Sequence, residues 1–345
     1  MSAAGDPYRA FKSRSEASGV PDIDAHIAFC RLAERCGFEY LLTACGFHRP
    51  DALILAAALG MVTERIKFLV AVRSGLFSPT VFAQQVNTIS VLTGGRVGIN
   101  VVNGHSESEQ RYYGDFLDHD QRYARTDEFL DVCRALWARK GPVTHCGRYF
   151  HIEDAVLNTP FSAAGRGEPE LYIGGASPLA VQQACRHDAC LLTMPAPPDE
   201  LAQRLAPLHR HGGRAGLIVA VIARATTAAA MAAADELIRC AGGGARAAHR
   251  SFRVQSSSVA FATAYDQSVE AAWLSPVLWA GAVPFLGPSA TALLGSYDDV
   301  ARALLGFRDD GITEFLFLGW PDIEEMERFA NEVTPRVREQ EAELC

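Results

Sequence analysis

The sequence contains no long apolar run and no excess of positive charge. No stretch of about 18 consecutive apolar residues is present, and the first twenty residues lack the apolar core that an export signal needs. We therefore expect a cytoplasmic protein without a membrane span. The 32 lysines and arginines are outnumbered by 40 aspartates and glutamates, which leaves a formal net charge of −8. This balance disfavours nucleic acids and anionic membranes as partners.

Motifs of metal and hydrolytic chemistry are also missing. The nine cysteines are scattered without a C-x2-C pair, which predicts free thiols in place of a disulfide framework or a zinc site. No G-x-S-x-G element, paired-carboxylate motif or cluster with metal-ligand spacing occurs. The sequence therefore argues against a hydrolase and against a metal site.

The sequence does contain a regular alternation of short apolar runs with amphipathic stretches. Of its 345 residues, 49% are hydrophobic, which is enough for a large core. Near-continuous apolar strands that alternate with helices are typical of parallel strands buried on both faces. The seven predicted strands are 38–43, 66–72, 97–102, 171–173, 190–194, 217–223 and 315–318.

This alternation predicts a (β/α)8 TIM-type barrel that forms one domain over residues 1–345. Repeated crossovers give either a barrel or a doubly wound sheet, and the glycine-rich dinucleotide turn typical of the second is absent. Insertions are expected at 141–168, with a small hairpin, and at 241–276, with a mobile lid. Residues 1–22 contain no apolar run, so we expect them to be irregular and the first barrel strand to be absent or degenerate.

Polar residues follow the first three predicted strands, where the active sites of such barrels lie. Cys45 and His48 follow the first strand, Ser74 the second and Asn103 the third. A thiol and an imidazole on one loop could line a site, although a buried cysteine beside a surface histidine is the commoner arrangement. The amide and hydroxyl groups need partners, and a bound cofactor can supply them.

Two further segments are candidates for ligand binding. His119 and Tyr123 are four residues apart at the start of a predicted helix and so share one face, although a capping histidine beside a packed tyrosine is the simpler explanation. The turn Gly174-Gly175-Ala176-Ser177 leads into a helix that begins at Pro178. Small residues at a helix N-terminus suit a phosphate, and a plain tight turn is an equally good explanation.

Taken in order, these segments resemble the bacterial-luciferase-like flavin-dependent monooxygenases, and among them the alkanesulfonate monooxygenases. The similarity begins near residue 22 and covers nearly all of the chain that follows. It is carried by CRLAERCGFEYLLTACG, RIKFLVAVRSGLFSPTVFAQQVNTI, GGRVGINVVNGHS, FLDHDQRYARTDEF, LYIGGAS and ALLGSYDDVARALLGFRDDGITEFLFLGWPDIEEMERF. The central segments are specific, whereas LYIGGAS alone would not be.

The resemblance implies a two-component monooxygenase. A separate reductase would use NAD(P)H to supply FMN in its reduced form, FMNH2, which reacts with O2 on this protein to oxygenate a small-molecule substrate. His119 and Tyr123 match the family's H-x3-Y contact to FMN, Ala176 and Ser177 its phosphate-binding turn, Asn103 a polar position near the flavin, and Cys45 a cysteine near it. The segment 241–276 matches the mobile lid, and we expect a homo-oligomer.

The candidate site follows from these matches and from the strand ends. The candidate catalytic residues are Cys45, His48 and Trp320, the last of which stands where the family has a tyrosine after the final strand. The candidate cofactor-binding residues are Ser74, Asn103, His119, Tyr123, Gly175, Ala176 and Ser177. No metal ligands are predicted.

Departures from the family pattern change the expected substrate. The family's basic substrate-side positions correspond to Ile218, Ala220 and Val269 here, so a simple alkanesulfonate is not expected. An apolar or weakly polar organic substrate is expected instead. Two alternatives stay open: an oxidoreductase of the same superfamily that uses the deazaflavin F420, and a flavin-binding subunit without catalytic activity.

Overall fold

The protein is described from a computed structural model, which covers residues 21–47, 49–104, 106–241, 250, 258–319 and 322–344. These residues fall into two compact units, and each is described by itself. The first unit contains the described residues of 19–174 and 182–189, and the second contains those of 175–181 and 190–345. The single domain expected over 1–345 stays a prediction.

Four parallel strands form the sheet of the first unit, and they lie side by side in their order along the chain. Val70 lies beside Thr43 on one side and Ile99 on the other, and Asn100 lies between Ala71 and Tyr172. Phe68, Val70 and Ile99 are completely buried, and such side chains each contribute about 1.5–3 kcal/mol. The strands are β1 (Tyr40–Thr43), β2 (Lys67–Val72), β3 (Val97–Val102) and β6 (Glu170–Gly174).

The helices of the first unit begin at side-chain caps that the sequence supplies. The carboxylates of Asp22, Asp51 and Asp118 each accept a backbone hydrogen bond at the start of a helix. Asp118 forms a complete capping box with Gln121. The helices are α1 (Ile23–Arg35), α2 (Ala52–Gly60), α3 (Pro79–Thr93), α4 (Glu107–Tyr112) and α5 (His119–Ala138), and a short 3-10 turn covers Ser74–Leu76.

The insertion predicted at 141–168 contains the expected hairpin. Its strands β4 (Val143–Cys146) and β5 (His151–Ala155) pair antiparallel to each other. The Glu128 carboxylate on α5 accepts hydrogen bonds from the amides of Tyr149 and Phe150 in the hairpin turn, at 3.0 and 2.7 Å. The hairpin is therefore attached to the helix that precedes it.

The second unit is built around one long strand, β8 (Ala215–Arg224). Its first residues pair parallel with β7 (Cys190–Thr193) and with β11 (Ile312–Leu318), and its last residues pair parallel with β10 (Ala292–Ser296). The two-residue strand β9 (Leu278–Trp279) runs antiparallel to β10. Leu217, Val219 and Ala220 are completely buried, as expected for a central strand covered on both faces.

Helices alternate with these strands along the chain. The helix α6 (Pro178–Arg186) begins in the second unit and belongs to the first from Gln182 onward. The others are α7 (Pro198–Arg210), α8 (Thr227–Ala241), α9 (Val259–Glu270), α10 (Val283–Leu286), α11 (Tyr297–Asp309), α12 (Asp322–Arg328) and α13 (Thr334–Leu344), with a 3-10 turn at Pro288–Ala290 and a π-turn at Phe329–Val333.

The predicted α/β class with parallel strands is confirmed, and one strand was missed. The described residues contain eight strands with a parallel neighbour, against the seven predicted, and the additional one is β10. Its sequence, ALLGS, is short, ends in Gly295 and Ser296, and follows a stretch rich in glycine and proline, so its periodicity is weak. Closure of the strands into a barrel stays a prediction.

Some predictions fall partly or wholly outside the described residues. The N-terminal segment 1–22, which was predicted to be irregular, lies outside them except for its last two residues, and so does most of the first half of the predicted lid 241–276. From Val259 to Glu270 that segment forms the helix α9. Among the residues covered, no helix is long and apolar enough to cross a membrane.

Candidate functional site

A chain of buried hydrogen bonds connects the carboxyl ends of β2 and β3 to α5. The Ser74 hydroxyl lies 2.7 Å from the Thr126 hydroxyl, which lies 2.7 Å from Asn103 Oδ1. An amide oxygen can only accept, so Thr126 donates to Asn103 and Ser74 must donate to Thr126. The Ser74 oxygen is thereby left as an acceptor for any further partner.

The same chain continues from Asn103 to the end of α6. Asn103 Nδ2 donates to Gln183 Oε1 at 3.0 Å, and Gln183 Nε2 donates to the Tyr123 carbonyl and to the Asp127 carboxylate at 3.1 and 2.9 Å. His187 Nε2 lies 2.9 Å from the same Asp127 oxygen. Burial would raise the pKa of Asp127, but the hydrogen bonds from His187 and Gln183 hold it below the usual range. Asp127 thus accepts as a carboxylate and fixes the orientation of Gln183.

The backbone after β3 is held in a sharp turn by two side chains. Arg122 Nε and Gln110 Nε2 both donate to the Asn103 carbonyl, at 2.8 and 3.4 Å. Gly104 follows with φ of 82°, and a Cβ there would lie 1.4 Å from Gln110 Nε2. Glycine is therefore required for both conformation and space, and Asn103 has little freedom to move.

A buried ion pair between Arg125 on α5 and Asp115 in the loop before that helix lies against the segment after β2. Arg125 donates to both Asp115 oxygens, at 3.1 and 2.6 Å, and the Asp115 side chain is only 4% exposed. A Cβ at Gly75 would lie 2.4 Å from Arg125 Nη2, so the glycine lets the guanidinium pass over the backbone. Burial would raise the pKa of Asp115, but the hydrogen bonds from Arg125 and the charge of its guanidinium hold it below the usual range.

A second buried ion pair lies beside Cys45. Arg73 Nη2 is 3.0 Å from Glu109 Oε1, and both side chains are about 95% buried. The Phe47 amide donates to the same Glu109 oxygen at 3.3 Å. Burial raises the pKa of the Cys45 thiol above its usual value, although the charge of Arg73 opposes the rise. Cys45 is therefore a neutral thiol at neutral pH, and it can line a site but is not an activated nucleophile.

His119 and Tyr123 stand together on the first turns of α5, as their spacing predicts. Their ring centroids are 5.0 Å apart, and His119 Nδ1 lies 2.8 Å from the Asp120 carboxylate. The His119 side chain is partly exposed, whereas Tyr123 is buried. Contact of both residues with a cofactor stays a prediction.

Replacing Tyr123 by phenylalanine, or His119 by alanine, should weaken FMN binding about three- to tenfold without unfolding the protein, the usual effect of losing one hydrogen bond. Fluorescence titration with FMN and thermal unfolding measure the two quantities. Tyr112→Phe is the matched control, because Tyr112 is mostly exposed. A collapse of thermal stability with unchanged affinity would instead show that the pair has a structural role.

The turn between β6 and α6 is described within the second unit. The Gly175 amide donates to the Leu192 carbonyl at 3.0 Å. Ser177 is buried, and its hydroxyl accepts from the Ala180 amide at 3.2 Å, the pattern of a helix N-cap. Binding of a cofactor by Gly175, Ala176 and Ser177 stays a prediction.

Two candidate catalytic residues, His48 and Trp320, lie outside the described residues. Of the others, the structure connects Ser74, Asn103 and the Tyr123 backbone in one hydrogen-bonded chain. The sequence patterns did not identify four further members of this network: Thr126, Asp127, Gln183 and His187. Thr126 and Asp127 lie three and four residues after Tyr123 and so share a helix face with it, which could have indicated Thr126 as a site residue. No local sequence pattern indicates Gln183 or His187.

The parallel strands and their polar ends define an α/β protein with a buried polar network at one edge of its first sheet. The sequence matches the profile of the luciferase-like monooxygenase family over residues 7–314. The chain belongs to this family of oxidoreductases. The predicted family is thereby confirmed.

Solved structures show the same fold at low sequence identity. DmoA from Hyphomicrobium sulfonivorans matches with a TM-score of 0.77 and 19% identity over 93% of this chain and 82% of its own. The oxygenating constituent of 3,6-diketocamphane monooxygenase from Pseudomonas putida, solved with FMN, matches at 0.70 and 18% over 96% of both chains. An F420-dependent secondary alcohol dehydrogenase matches at 0.67 and 19% over 92% and 96%.

Proposed function

We propose that this protein is a two-component monooxygenase that takes FMNH2 from a separate reductase and uses O2 to oxygenate an organic molecule. Family membership supports the oxygenation chemistry, and the FMN-containing match supports the flavin. The observation that carries the proposal is the buried network that ends at Ser74, because it presents the Ser74 oxygen as an acceptor at the carboxyl edge of the first sheet.

The residues of this edge fit a flavin. Asn100 Oδ1 is buried in β3 and has no hydrogen-bond partner among the described residues. A Cβ at the neighbouring Gly174 would lie 3.4 Å from that oxygen, so the glycine leaves room beside it. The Asn100 oxygen requires a donor and the Ser74 oxygen can accept from one, and a flavin carries N–H groups on its ring and hydroxyls on its ribityl chain. A buried acceptor without a partner costs about 1–3 kcal/mol, which a bound donor would offset.

Bound reduced flavin would supply the reaction with O2, and the chain's own residues would position the flavin and exclude water. Ser74 and Asn100 would accept hydrogen bonds from the cofactor. Thr126, Asn103 and Gln183 would hold Ser74 in its orientation through the hydrogen bonds described above. In this proposal the Cys45 thiol, neutral at neutral pH, lines the site and transfers no proton.

The direct test is O2 consumption by the purified protein supplied with photoreduced FMN and candidate organic substrates, under single-turnover conditions. We expect an oxygenated product whose added oxygen derives from 18O2. Reduced FMN that binds but never yields a product with any substrate class would contradict the proposal and favour a non-catalytic flavin-binding subunit.

The match to an F420-dependent dehydrogenase supports a second candidate function, which is hydride transfer to or from F420 without O2. The two candidates separate in one measurement. Reduction of F420 by an alcohol under anaerobic conditions would favour the second, whereas the proposed monooxygenase should show no such reaction.

Replacing Ser177 by alanine should weaken FMN binding about 10- to 100-fold, because a hydrogen bond to a charged group contributes about 1.5–3 kcal/mol. This follows from the phosphate position that the family resemblance assigns to the turn. Riboflavin, which lacks the phosphate, should bind the wild type and the variant equally. Ser177→Asp retains a helix cap but places a carboxylate at the phosphate, so it should weaken FMN binding further. An equal loss for riboflavin and FMN would contradict the placement.

The protein should not release sulfite from simple alkanesulfonates supplied with FMNH2 and O2. Ile218 and Ala220 lie in β8 with apolar side chains, and Val269 on α9 is exposed, so none of the three offers a cation. A tetrahedral sulfonate needs donors on several sides when it is buried. Sulfite detection with a thiol reagent measures the outcome, and efficient release would show that other residues bind the sulfonate.

A further inference from the structure

The helices α2 and α3 of the first unit together present a surface without charge. They pack against each other and contain no aspartate, glutamate, lysine or arginine, although such residues make up 21% of the chain. Large apolar side chains on these helices, and in the two residues that follow α2, are between 38% and 73% exposed. We call this surface the α2–α3 face, and its exposed apolar side chains are Ile54, Met61, Val62, Val81, Val91 and Leu92.

The helix α2 is apolar on both of its sides. Leu53, Leu55 and Leu59 are buried, and the helix contacts β1 and β2 of the sheet. Ile54 and Met61 lie seven residues apart, which is two helical turns, and so share the outward side. A helix on the surface of a protein normally has polar or charged residues on its outward side, whereas a helix that is apolar all round is normally buried. The composition of α2 is therefore that of a helix covered on both sides, and the first unit covers one of them.

The outward side of α3 is complementary to itself. Its exposed apolar residues lie near the two ends of the helix, with Val81 at the start and Val91 and Leu92 in the last turn. The exposed residues between them are uncharged and polar: Gln84, Gln85 and Thr88. Amide and hydroxyl side chains both donate and accept hydrogen bonds, so each of these residues can pair with an identical one.

These properties favour a second copy of this chain over a partner of different sequence. The chain carries a formal net charge of −8, so two copies repel each other where their charged surfaces meet. A two-fold symmetric contact uses the same patch on both copies, and a charged residue near the axis would meet its own like charge. A patch without charge avoids this repulsion. Different partners are commonly selected by complementary charges, and the two helices offer none.

The boundary of the α2–α3 face also fits an interface. Exposed charged residues border its apolar centre, with Asp51 directly before α2 and Glu64 and Arg65 shortly after it. An apolar centre that is poor in charge, surrounded by a polar rim, is the usual anatomy of a contact between two copies of one chain. A stable contact buries about 800 Å² on each partner, so the rim takes part in it together with the helices.

We propose that the α2–α3 face is the contact surface between two copies of this chain, related by a two-fold axis. The segment between β1 and α2 carries Cys45, and the segment between β2 and α3 carries Ser74. The contact therefore fixes two helices whose preceding segments belong to the candidate site. The inference does not depend on the proposed function.

The test is the molar mass of the full chain in solution, measured by light scattering at micromolar concentration without FMN. The wild type should have twice the 37.3 kDa of one chain. Ile54→Glu and Val91→Lys each place a charge on the face, at a helix end that favours that sign of charge, so the variants should fold. Each should weaken the dimer at least about 100-fold, because a buried charge without a partner is costly. Val156→Lys is the matched control, because this valine is 60% exposed outside the face, and it should stay dimeric.

Oxidation of Met61 by hydrogen peroxide gives a second measurement that needs no variant. Met61 is 59% exposed in the single chain, whereas Met194 is 5% exposed. Mass spectrometry should show slow oxidation of both residues in the concentrated wild type, and Met61 alone should become several-fold faster as the protein is diluted and the dimer dissociates.

Three outcomes would overturn the proposal. A wild type that is monomeric at micromolar concentration has no such contact, and slow oxidation of Met61 in that monomer would mean that another part of the chain covers the face. A dimer that survives both Ile54→Glu and Val91→Lys uses a different surface. Equal oxidation rates of Met61 at all protein concentrations that span dissociation would likewise place the contact elsewhere.

Discussion

Replacing Arg125 by methionine should lower the free energy of unfolding by about 3–5 kcal/mol, the usual cost of leaving one member of a buried ion pair without its partner. Among the described residues, the Asp115 carboxylate would keep only the Leu117 amide as a hydrogen-bond donor, at 3.2 Å, while remaining almost completely buried. Chemical denaturation followed by fluorescence measures the loss. The segment at Gly75, over which the guanidinium passes, should loosen as well.

The control is the double variant Arg125→Met/Asp115→Asn, which removes both charges. It should recover most of the lost stability, because a buried amide costs far less than a buried, unpaired carboxylate. If the single and double variants are equally destabilised, the loss comes from packing of the arginine stem and the ion pair contributes little.

The Arg125–Asp115 ion pair also determines part of the decrease in the free energy of unfolding at low pH. The pKa of Asp115 in the folded protein lies below its usual value of 3.8, so the pair stabilises the protein fully above that value. This contribution should be lost progressively as the pH falls below 3.8 and through the folded-state pKa. The double variant should lack this component, so its stability should fall less steeply than that of the wild type in the same range.

Replacing Asn103 by leucine should lower the free energy of unfolding by about 2–5 kcal/mol and also weaken flavin binding at least tenfold. The leucine leaves the Thr126 hydroxyl and the Gln183 amide oxygen buried without the partners they have now, and each costs about 1–3 kcal/mol. Ser74 also loses the arrangement that makes it an acceptor. Denaturation and FMN titration measure the two effects.

A double-mutant cycle that combines Asn103→Leu with Thr126→Val tests whether Asn103 and Thr126 act together through one hydrogen-bond network. Thr126→Val is close in shape and removes the hydroxyl between Ser74 and Asn103. Because the two residues share one hydrogen bond, their effects should be less than additive by about 0.5–3 kcal/mol. Strictly additive effects would mean that Asn103 and Thr126 act independently and that the chain of hydrogen bonds does not orient Ser74.

Much of the fold could be predicted from local patterns. The strand β3 was predicted with its observed bounds, and β2 within one residue, because both are short apolar runs bounded by polar residues. The helix α5 begins where Asp118 and Gln121 form a capping box, which depends only on residues three apart. The strand β10 was missed because its run is short and its burial comes from neighbours distant in sequence.

The candidate site could be predicted only in part. Ser74 and Asn103 follow apolar strands, so their positions at the strand ends are visible in the sequence. Their partners Thr126 and Gln183 come from two helices, one of them 80 residues after Asn103. No local spacing connects such residues, because a helix face meets a strand end only after the chain has folded.

The sequence by itself determined the family, the order of strands and helices, and the polar character of the strand ends, since each depends on residues close together in the chain. Only the tertiary structure decided which polar groups find partners. It paired Arg125 with Asp115 and Arg73 with Glu109, and within the described part of the chain it left two nitrogen atoms of Arg73 without a hydrogen-bond partner. The reason is physical: hydrogen bonds require distances near 3 Å, and burial removes the water that would otherwise make any partner unnecessary.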